Sequence, residues 1–443
     1  MRILLVSHKF PPHSLGGVEV YTRNLAHALR ARHRVAVFYR HDEAEGPPFA
    51  EYDDQAENLW LRRVACRPGG WRASVAGQFF DTFVNRRIEA GFARFVARFQ
   101  PDLIHIQHVM ALSARLLPLA RRSAPTLLTL HDYWFLCGNS QLIWPDGQVC
   151  QGKAGGMNCV RCAAAARFPL LAGGGVGRRL LQAGVAPLFV YRDRVVRRAA
   201  LQADHFIAPS RFLRDRYLAA GFPADRFTYL ENGIVAGRIG RATPRRSADE
   251  PLRVTFLGSL AWQKGVHILA EAFSALPPGA ARLRIWGDPT VFPDYADRLR
   301  RLLAGREDAR LMGRIANERV GEALSDSDVI VVPSLWYENS PVVIQEARAA
   351  GLPVVASDRG ALAEKVRPGV DGLLFPPGDV DALRRTLQRL IEEPELLARL
   401  RANVPPPLDM AGHAAQIEAL YRRAAYSAQK ASTVRQEGGR PSA

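Results

Sequence analysis

At 443 residues the chain is too long for one ordinary hydrophobic core and suits two domains. Its composition, 48% apolar and 23% charged, is that of a soluble globular protein and excludes a disordered chain. The formal charge of +17 is uneven: residues 1–200 hold 27 Arg/Lys against 14 Asp/Glu, which suits an anionic lipid surface or a phosphorylated lipid acceptor. No nucleic-acid motif or basic-aromatic interleaving accompanies it, which argues against nucleic acid as a partner, although an Arg-rich genome composition would give the same charge.

Arg2–Ser7 reads as a short apolar strand, too brief for a signal peptide because it runs at once into His8, Lys9 and two prolines. No stretch reaches the roughly eighteen apolar residues of a membrane span. The expectation is a cytoplasmic protein, peripheral at most on the inner face of the cell membrane. A loop containing Gly16 and Gly17 then leads into helical spacing over 18–32. Strand, glycine pair, helix lets a phosphate approach the backbone, though a plain tight turn has the same sequence. Strands are predicted at 34–39, 59–64, 103–106 and 126–130, with helices at 74–99 and 113–122, the alternation of a parallel sheet. His131 follows the last of these strands, at its carboxyl end, and is a candidate site residue.

Cys137, Cys150, Cys159 and Cys162 crowd into a Gly/Asn/Gln-rich insertion, the last two as C-x-x-C. Four thiolates suit tetrahedral zinc or an iron–sulfur cluster, and reduced or redox-active thiols are the alternative. Residues 167–200 are basic and apolar, either an interfacial surface for lipid headgroups or an Arg-decorated helix on the sheet. Residues 236–250 read as a linker.

The second half opens with a strand at 253–257, then Gly258, Ser259 and, beside a glycine turn, Lys264, a point charge suited to a diphosphate. Residues 328–332 form an apolar β-branched run, as in a strand covered on both faces. Ser340 before Pro341 signals a helix start, with Ser340 as the cap and the N–H groups of Val342 and Val343 at a mouth that favours anions. Glu338 precedes that cap, and Glu346 lies about two turns in, its side chain leaning back toward the helix start. Carboxylates beside an anion site accept hydrogen bonds from sugar hydroxyls while the N–H groups hold a phosphate, and a nucleotide sugar offers both.

Glu338 and Glu346, seven residues apart in Trp336-Tyr337-Glu338-Asn339-Ser340-Pro341, resemble the E-x7-E motif of family 4 retaining glycosyltransferases of the GT-B fold. The resemblance continues through 347–357 and on to Gly360, Glu364 and 371–375. It implies an α/β protein of two Rossmann-like domains whose parallel sheets face a cleft. The implied acceptor domain is 1–200, with the cysteine insertion at 137–162. The implied nucleotide-sugar domain is 201–410. A helix over 411–427 would cross back to the first domain, and 428–443 would be a disordered tail.

The same resemblance implies transfer of a sugar, with retention, from a UDP- or GDP-sugar to a saccharide or lipid-linked saccharide, in cell-envelope polysaccharide synthesis and with no cofactor in the chemistry. His131 would stand beside the donor sugar and leaving phosphate, Glu338 would hold that sugar, and Glu346 the ribose. Gly16, Gly17, Lys264 and the helix mouth at Pro341, Val342 and Val343 would stabilise the departing diphosphate, and Asn339, Ser340 and Ser259 would also belong to the donor-binding set. Gly313, Arg314 and Ile315 would hold the base through the backbone. Ser259 stands where the family commonly has Arg, so one phosphate cation is missing. A sugar-nucleotide epimerase and a catalytically silent scaffold are the alternatives.

Overall fold

The apolar runs form strands because each is covered on both faces. Ile3 to Val6 of β1 (Arg2–Ser7) are fully buried. In the computed structural model, which describes residues 1–14, 16–42, 46–66, 75–144, 148–150, 152–166, 171–244 and 250–437, the chain divides into two α/β units. The first comprises Met1–Pro209, Leu213–Glu231 and Met410–Ala443; the second comprises Ser210–Phe212 and Asn232–Asp409. No helix among the described residues is long and apolar enough to cross a membrane.

The first unit holds an eight-stranded sheet. After β1 come β2 (Arg34–His41), β3 (Glu51–Ala56), β4 (Leu59–Ala65), β5 (Leu103–Ile106), β6 (Thr126–Thr129), β7 (His205–Ala208) and β8 (Phe227–Tyr229), in spatial order β3-β4-β2-β1-β5-β6-β7-β8. Every pairing is parallel except β3–β4. That hairpin turns on Glu57 and Asn58, at φ 55° and 60°, as a two-residue loop requires. β3 is an acidic edge strand whose Asp53 accepts bonds from Arg62 at 2.6 and 2.8 Å, which blunts the edge against further pairing.

Several expected boundaries move. The first unit extends past residue 200 to Glu231, because β7 pairs with β6 and β8 with β7. The long helix expected over 74–99 is two, Val75–Asp81 and Arg86–Phe99. Asn85 divides them: its side chain accepts from the Ile88 amide at 3.2 Å, and Glu89 reaches back to the Asn85 amide at 3.0 Å. The tail expected from 428 is helical as far as Glu437, in the helix Met410–Glu437; residues 438–443 lie outside the described residues. That helix packs within the first unit. Tyr421 OH bonds to Nδ1 of the fully buried His105 at 2.6 Å, whose Nε2 bonds to Thr129 Oγ1 at 2.7 Å, and Tyr21 OH bonds to His413 Nε2 at 2.7 Å.

In the second unit β9 (Leu252–Leu257), β10 (Ala281–Trp286), β11 (Ala309–Gly313), β12 (Val329–Val332), β13 (Val354–Ser357) and β14 (Gly372–Phe375) form an all-parallel sheet in the order β11-β10-β9-β12-β13-β14. This is the doubly wound dinucleotide-fold order, with its reversal between β9 and β12. Strand residues alternate between two cores. Val329 and Val331 pack with helices Val266–Ser274 and Val380–Glu392, while Ile330 and Val332 pack with Val342–Ala350. Ile234, Ile239 and Ala242 join the latter core, so the start of the expected linker is packed structure; residues 245–249 lie outside the described set.

The two loops beyond the reversal are locked together. The Leu335 amide donates to the Gln263 carbonyl at 2.9 Å, and Gly265, at φ +68°, lies so close that a Cβ there would come 1.9 Å from the Pro333 carbonyl oxygen. Gly265→Ala is therefore expected to lose at least about 1–3 kcal/mol, seen as a lower thermal midpoint. Tyr421→Phe leaves one nitrogen of His105 unpartnered in a dry interior and is expected to lose about 1–3 kcal/mol, measured by urea unfolding.

Candidate functional site

In the second unit the reversal opens a crevice at the carboxyl ends of β9 and β12, the place where such sheets bind ligands. Glu338, in the loop after β12, is buried, and a buried carboxylate needs donors. It has three on one oxygen. Lys264 Nζ donates to Oε1 at 2.7 Å, Ser334 Oγ at 2.7 Å and Trp336 Nε1 at 2.8 Å. The Lys264 ammonium also sits 5.2 Å from the Trp336 ring centroid.

The helix Val342–Ala350 starts one residue later than expected. Its cap is Pro341, at φ −64° and ψ 116°, and no side chain caps it, so Ser340 does not have the capping role. The extended ψ of Pro341 keeps it outside the helix. The first amide to find a nearby acceptor is Ile344, on the Pro341 carbonyl at 3.1 Å, which leaves the Val342 and Val343 amides as the first-turn donors without an intrahelical acceptor. Glu346 is buried one turn further on. Burial pushes its carboxyl up to about 7, and the Arg238 guanidinium, 4.0 Å away, opposes that rise. Arg238 is held in place by Asn317 Oδ1 at 3.0 Å.

Asn339 is buried beside Glu338 in sequence, and Ser259 is exposed at the end of β9. Gly313 ends β11 and Arg314 and Ile315 follow it; β11 is separated from β9 by β10, Gly313 has φ +79°, and its carbonyl accepts from the Gly287 amide at 2.9 Å. Reading the sequence missed Arg238, because it falls at the edge of the polar passage taken for a linker. It also missed Trp336 and Ser334 as partners of Glu338, for which no spacing rule exists.

The first unit has its own reversal, between β1 and β5. Gly16 caps the helix Gly17–Leu29, and a Cβ on it would lie 2.4 Å from Glu19 Oε2, whereas a Cβ on Gly17 would meet nothing within 4 Å. Glu19 is buried, accepting from Ser14 Oγ at 2.9 Å and lying 3.4 Å from His8 Nε2. A fixed carboxylate thus already occupies part of this helix mouth and competes there with a phosphate. His131 Nε2 bonds to Gln107 Oε1 at 2.9 Å, and the Tyr21 ring stands edge-on at 5.1 Å. Burial holds the His131 imidazole down to about 3, His108 pushes the same way, and Asp132 opposes both. The Met110 amide donates to His108 Nδ1 at 3.0 Å, so His108 Nε2–H donates to Asp132 Oδ2 at 3.2 Å. Gln107, His108 and Glu19 carried no signal in the sequence.

The metal expectation at Cys137, Cys150, Cys159 and Cys162 is corrected. Among the described residues no group of three or more His, Cys, Asp or Glu side chains is arranged to hold a metal ion. The Asn139 side chain comes between two of the thiols: Cys137 Sγ donates to Asn139 Oδ1 at 3.0 Å, and Asn139 Nδ2 donates to Cys162 Sγ at 3.2 Å. Burial raises Cys159 to about 12 and Cys162 to about 11, which favours neutral thiols over the thiolates a metal needs.

Comparison with known proteins accords with this architecture. Residues 15–238 match the family described as Glycosyltransferase Family 4, and residues 251–393 match Glycosyl transferases group 1. The chain is 26% identical over 407 residues to the glycogen synthase of Mycobacterium tuberculosis, covering 90% of this chain and 88% of that one. It is 29% identical over 199 residues to the amylovoran biosynthesis glycosyltransferase AmsK of Erwinia amylovora, 43% of this chain and about half (48%) of that protein. Among solved structures, the sucrose-phosphate synthase of Thermosynechococcus elongatus matches with a TM-score of 0.67 at 24% identity, covering 95% of this chain and 98% of that one. Anabaena HepE in complex with UDP and glucose matches with a TM-score of 0.61 at 19% identity, over 94% and 98%. With both halves matched and two doubly wound units in place, the chain belongs to Glycosyltransferase Family 4 and is a glycosyltransferase of the GT-B fold.

Proposed function

We propose that this glycosyltransferase moves a sugar, with retention of configuration, from a nucleoside-diphosphate donor to a saccharide or lipid-linked saccharide in envelope polysaccharide synthesis. The observation that carries the reading is the buried Glu338 carboxylate holding Lys264 at the β9–β12 reversal. A carboxylate at that place accepts sugar hydroxyls, and a lysine beside it neutralises a departing diphosphate. Glu346 accepts from the ribose hydroxyls, and the Val342 and Val343 amides add donors for phosphate oxygens. Gly313, Arg314 and Ile315 take the base.

His131 belongs to the same reaction as a neutral hydrogen-bonding group. A neutral imidazole does not repel the positive charge that develops on the sugar during glycosyl transfer. The leaving diphosphate takes the acceptor proton on its own face, so no base with a raised pKa is required. Positioning and charge stabilisation supply the rate. HepE was solved with UDP and glucose, which supports a uridine donor here as the first to test.

The test is release of nucleoside diphosphate from a panel of UDP-, GDP- and ADP-sugars with and without saccharide acceptors. Release without sugar transfer to any acceptor, or no release at all, overturns the proposal. Glu338→Ala should lower kcat by about 10²–10³-fold while the protein stays folded, read in the same assay. A second expectation concerns pH. Because Glu346 is raised to about 7, it is largely protonated below that value and must lose its proton to accept two ribose hydroxyls. Nucleotide affinity should therefore rise as pH increases from 6 to 8, by up to about tenfold per unit, and Glu346→Gln should flatten that dependence in a calorimetric titration with UDP.

A further inference from the structure

The first unit carries an apolar surface that its own fold does not cover. On the helix Val176–Ala200, Val176, Leu180, Leu181, Leu188 and Tyr191 are all exposed, Val176 at 79%, Leu180 at 68% and Tyr191 at 56%. At helical pitch they fall within an arc of about 140°. The opposite face holds the buried Ala186, Arg192, Asp193 and Val196. This helix is firmly seated. Arg192 Nη1 donates to the Trp134 carbonyl at 2.9 Å and to Asp193 at 2.7 Å, and its guanidinium stacks 4.8 Å from the Trp134 ring centroid.

The exposed stripe continues onto a neighbouring segment. Phe79 packs on Phe189 at 5.4 Å and Phe83 on Tyr191 at 5.8 Å, and next to them Phe80 and Val84 are exposed. The Ala114 amide bonds to the Thr82 carbonyl at 2.8 Å, tying this segment to the loop after β5, where Met110 is also exposed. Met110 lies at the carboxyl edge of the sheet, two residues beyond His108 in sequence.

Its charge has one sign. The only acid between 176 and 200 is Asp193, which is buried and paired with Arg192 and Lys153. Arg178, Arg179, Arg194 and Arg198 share the helix and make no ion pair among the described residues. A contiguous exposed apolar patch rimmed by unpaired arginine does not suit a saccharide, which offers neither the hydrocarbon nor the anion. It suits the headgroup–acyl boundary of an anionic bilayer.

We propose that this face docks on an anionic phospholipid membrane, with the Val176–Ala200 helix lying in the interface and the Met110 edge turned to the bilayer. A lipid-linked saccharide, one acceptor class of the transfer proposal, is found at such a surface. The docking itself needs no donor and stands apart from the transfer reading.

The test uses the full chain and sedimentation with large unilamellar vesicles of phosphatidylcholine alone or with roughly one-third phosphatidylglycerol. The expected result is binding at least about tenfold stronger to the anionic vesicles, falling steeply as salt is raised. Leu180→Glu with Leu181→Glu should abolish binding while leaving the thermal midpoint unchanged, because both side chains are exposed. No sedimentation with anionic vesicles, or equal binding by the double variant, overturns the proposal. So does a wild-type dimer in light scattering that the double variant converts to monomer, which would assign the face to a second copy. Because no nucleotide sugar is present, a failure here leaves the transfer proposal untouched, and failure of transfer leaves this one untouched.

Discussion

One carboxylate oxygen organises the candidate site of the second unit. Glu338 Oε1 accepts from an ammonium, a hydroxyl and an indole N–H. Burying a carboxylate is costly unless its bonds are made, so the loop after β12 is committed to bringing Ser334 and Trp336 around it. Lys264 arrives from a different loop, and its reach is set by backbone rather than side chain. The Leu335–Gln263 bond and the contact of Gly265 with Pro333 fix the distance between the two loops. The site therefore belongs to the reversal in strand order, where the loops after the neighbouring strands β9 and β12 meet at the carboxyl edge of the sheet.

The two units use the same topological device with opposite electrostatics. In the second unit the helix mouth at Val342 has no carboxylate cap, and the nearest acids, Glu338 and Glu346, are engaged by Lys264 and approached by Arg238. In the first unit the mouth at Gly16 is partly filled by Glu19. A phosphate entering there would meet a buried anion, while a hydroxyl would find an acceptor. The glycine pair is thus less a phosphate cradle than its sequence suggests. Gly16 is required by the close approach of Glu19, and Gly17, with open space above it, is the position where a ligand can come near.

Much of this was legible in the sequence where a local rule acts alone. The buried strands of both sheets read directly from apolar β-branched runs such as 329–332, and the paired glutamates stood out through their surroundings. What escaped notice was set by tertiary context. β3 is an acidic segment, Glu51 to Ala56, that forms a strand only because Arg62 on β4 answers its carboxylates. The break between the helices around residue 85 needed Asn85 to outcompete a continuous apolar periodicity. Arg238 sits in a polar stretch with no helical or strand period, yet Ile234 and Ile239 anchor that stretch in the core and carry the guanidinium to Glu346. The cysteines show the opposite failure. Their clustering suggested a metal, but clustering in sequence does not place four sulfurs at the corners of a tetrahedron, and Asn139 takes the space between Cys137 and Cys162.

Charge in the first unit is sorted by depth, and the sorting bears on how it works. Burial holds His8, His105, His131 and His413 below their ordinary values, so the interior of this basic half is populated by neutral imidazoles. Most of the arginines lie outside, Arg62 and Arg192 excepted. Several of them, such as Arg94 on Glu51 and Arg98 on Asp53, are spent on the acidic edge strand. Those on the helix Val176–Ala200 are not; of them Arg192 pairs with Asp193 on the same helix. Arg178, Arg179, Arg194 and Arg198, which make no ion pair among the described residues, share the helix that bears the exposed leucines, while the charged and titratable groups acting on His131 are His108, Asp132 and His413. That arrangement puts positive charge on an exposed face and leaves the His131 imidazole neutral.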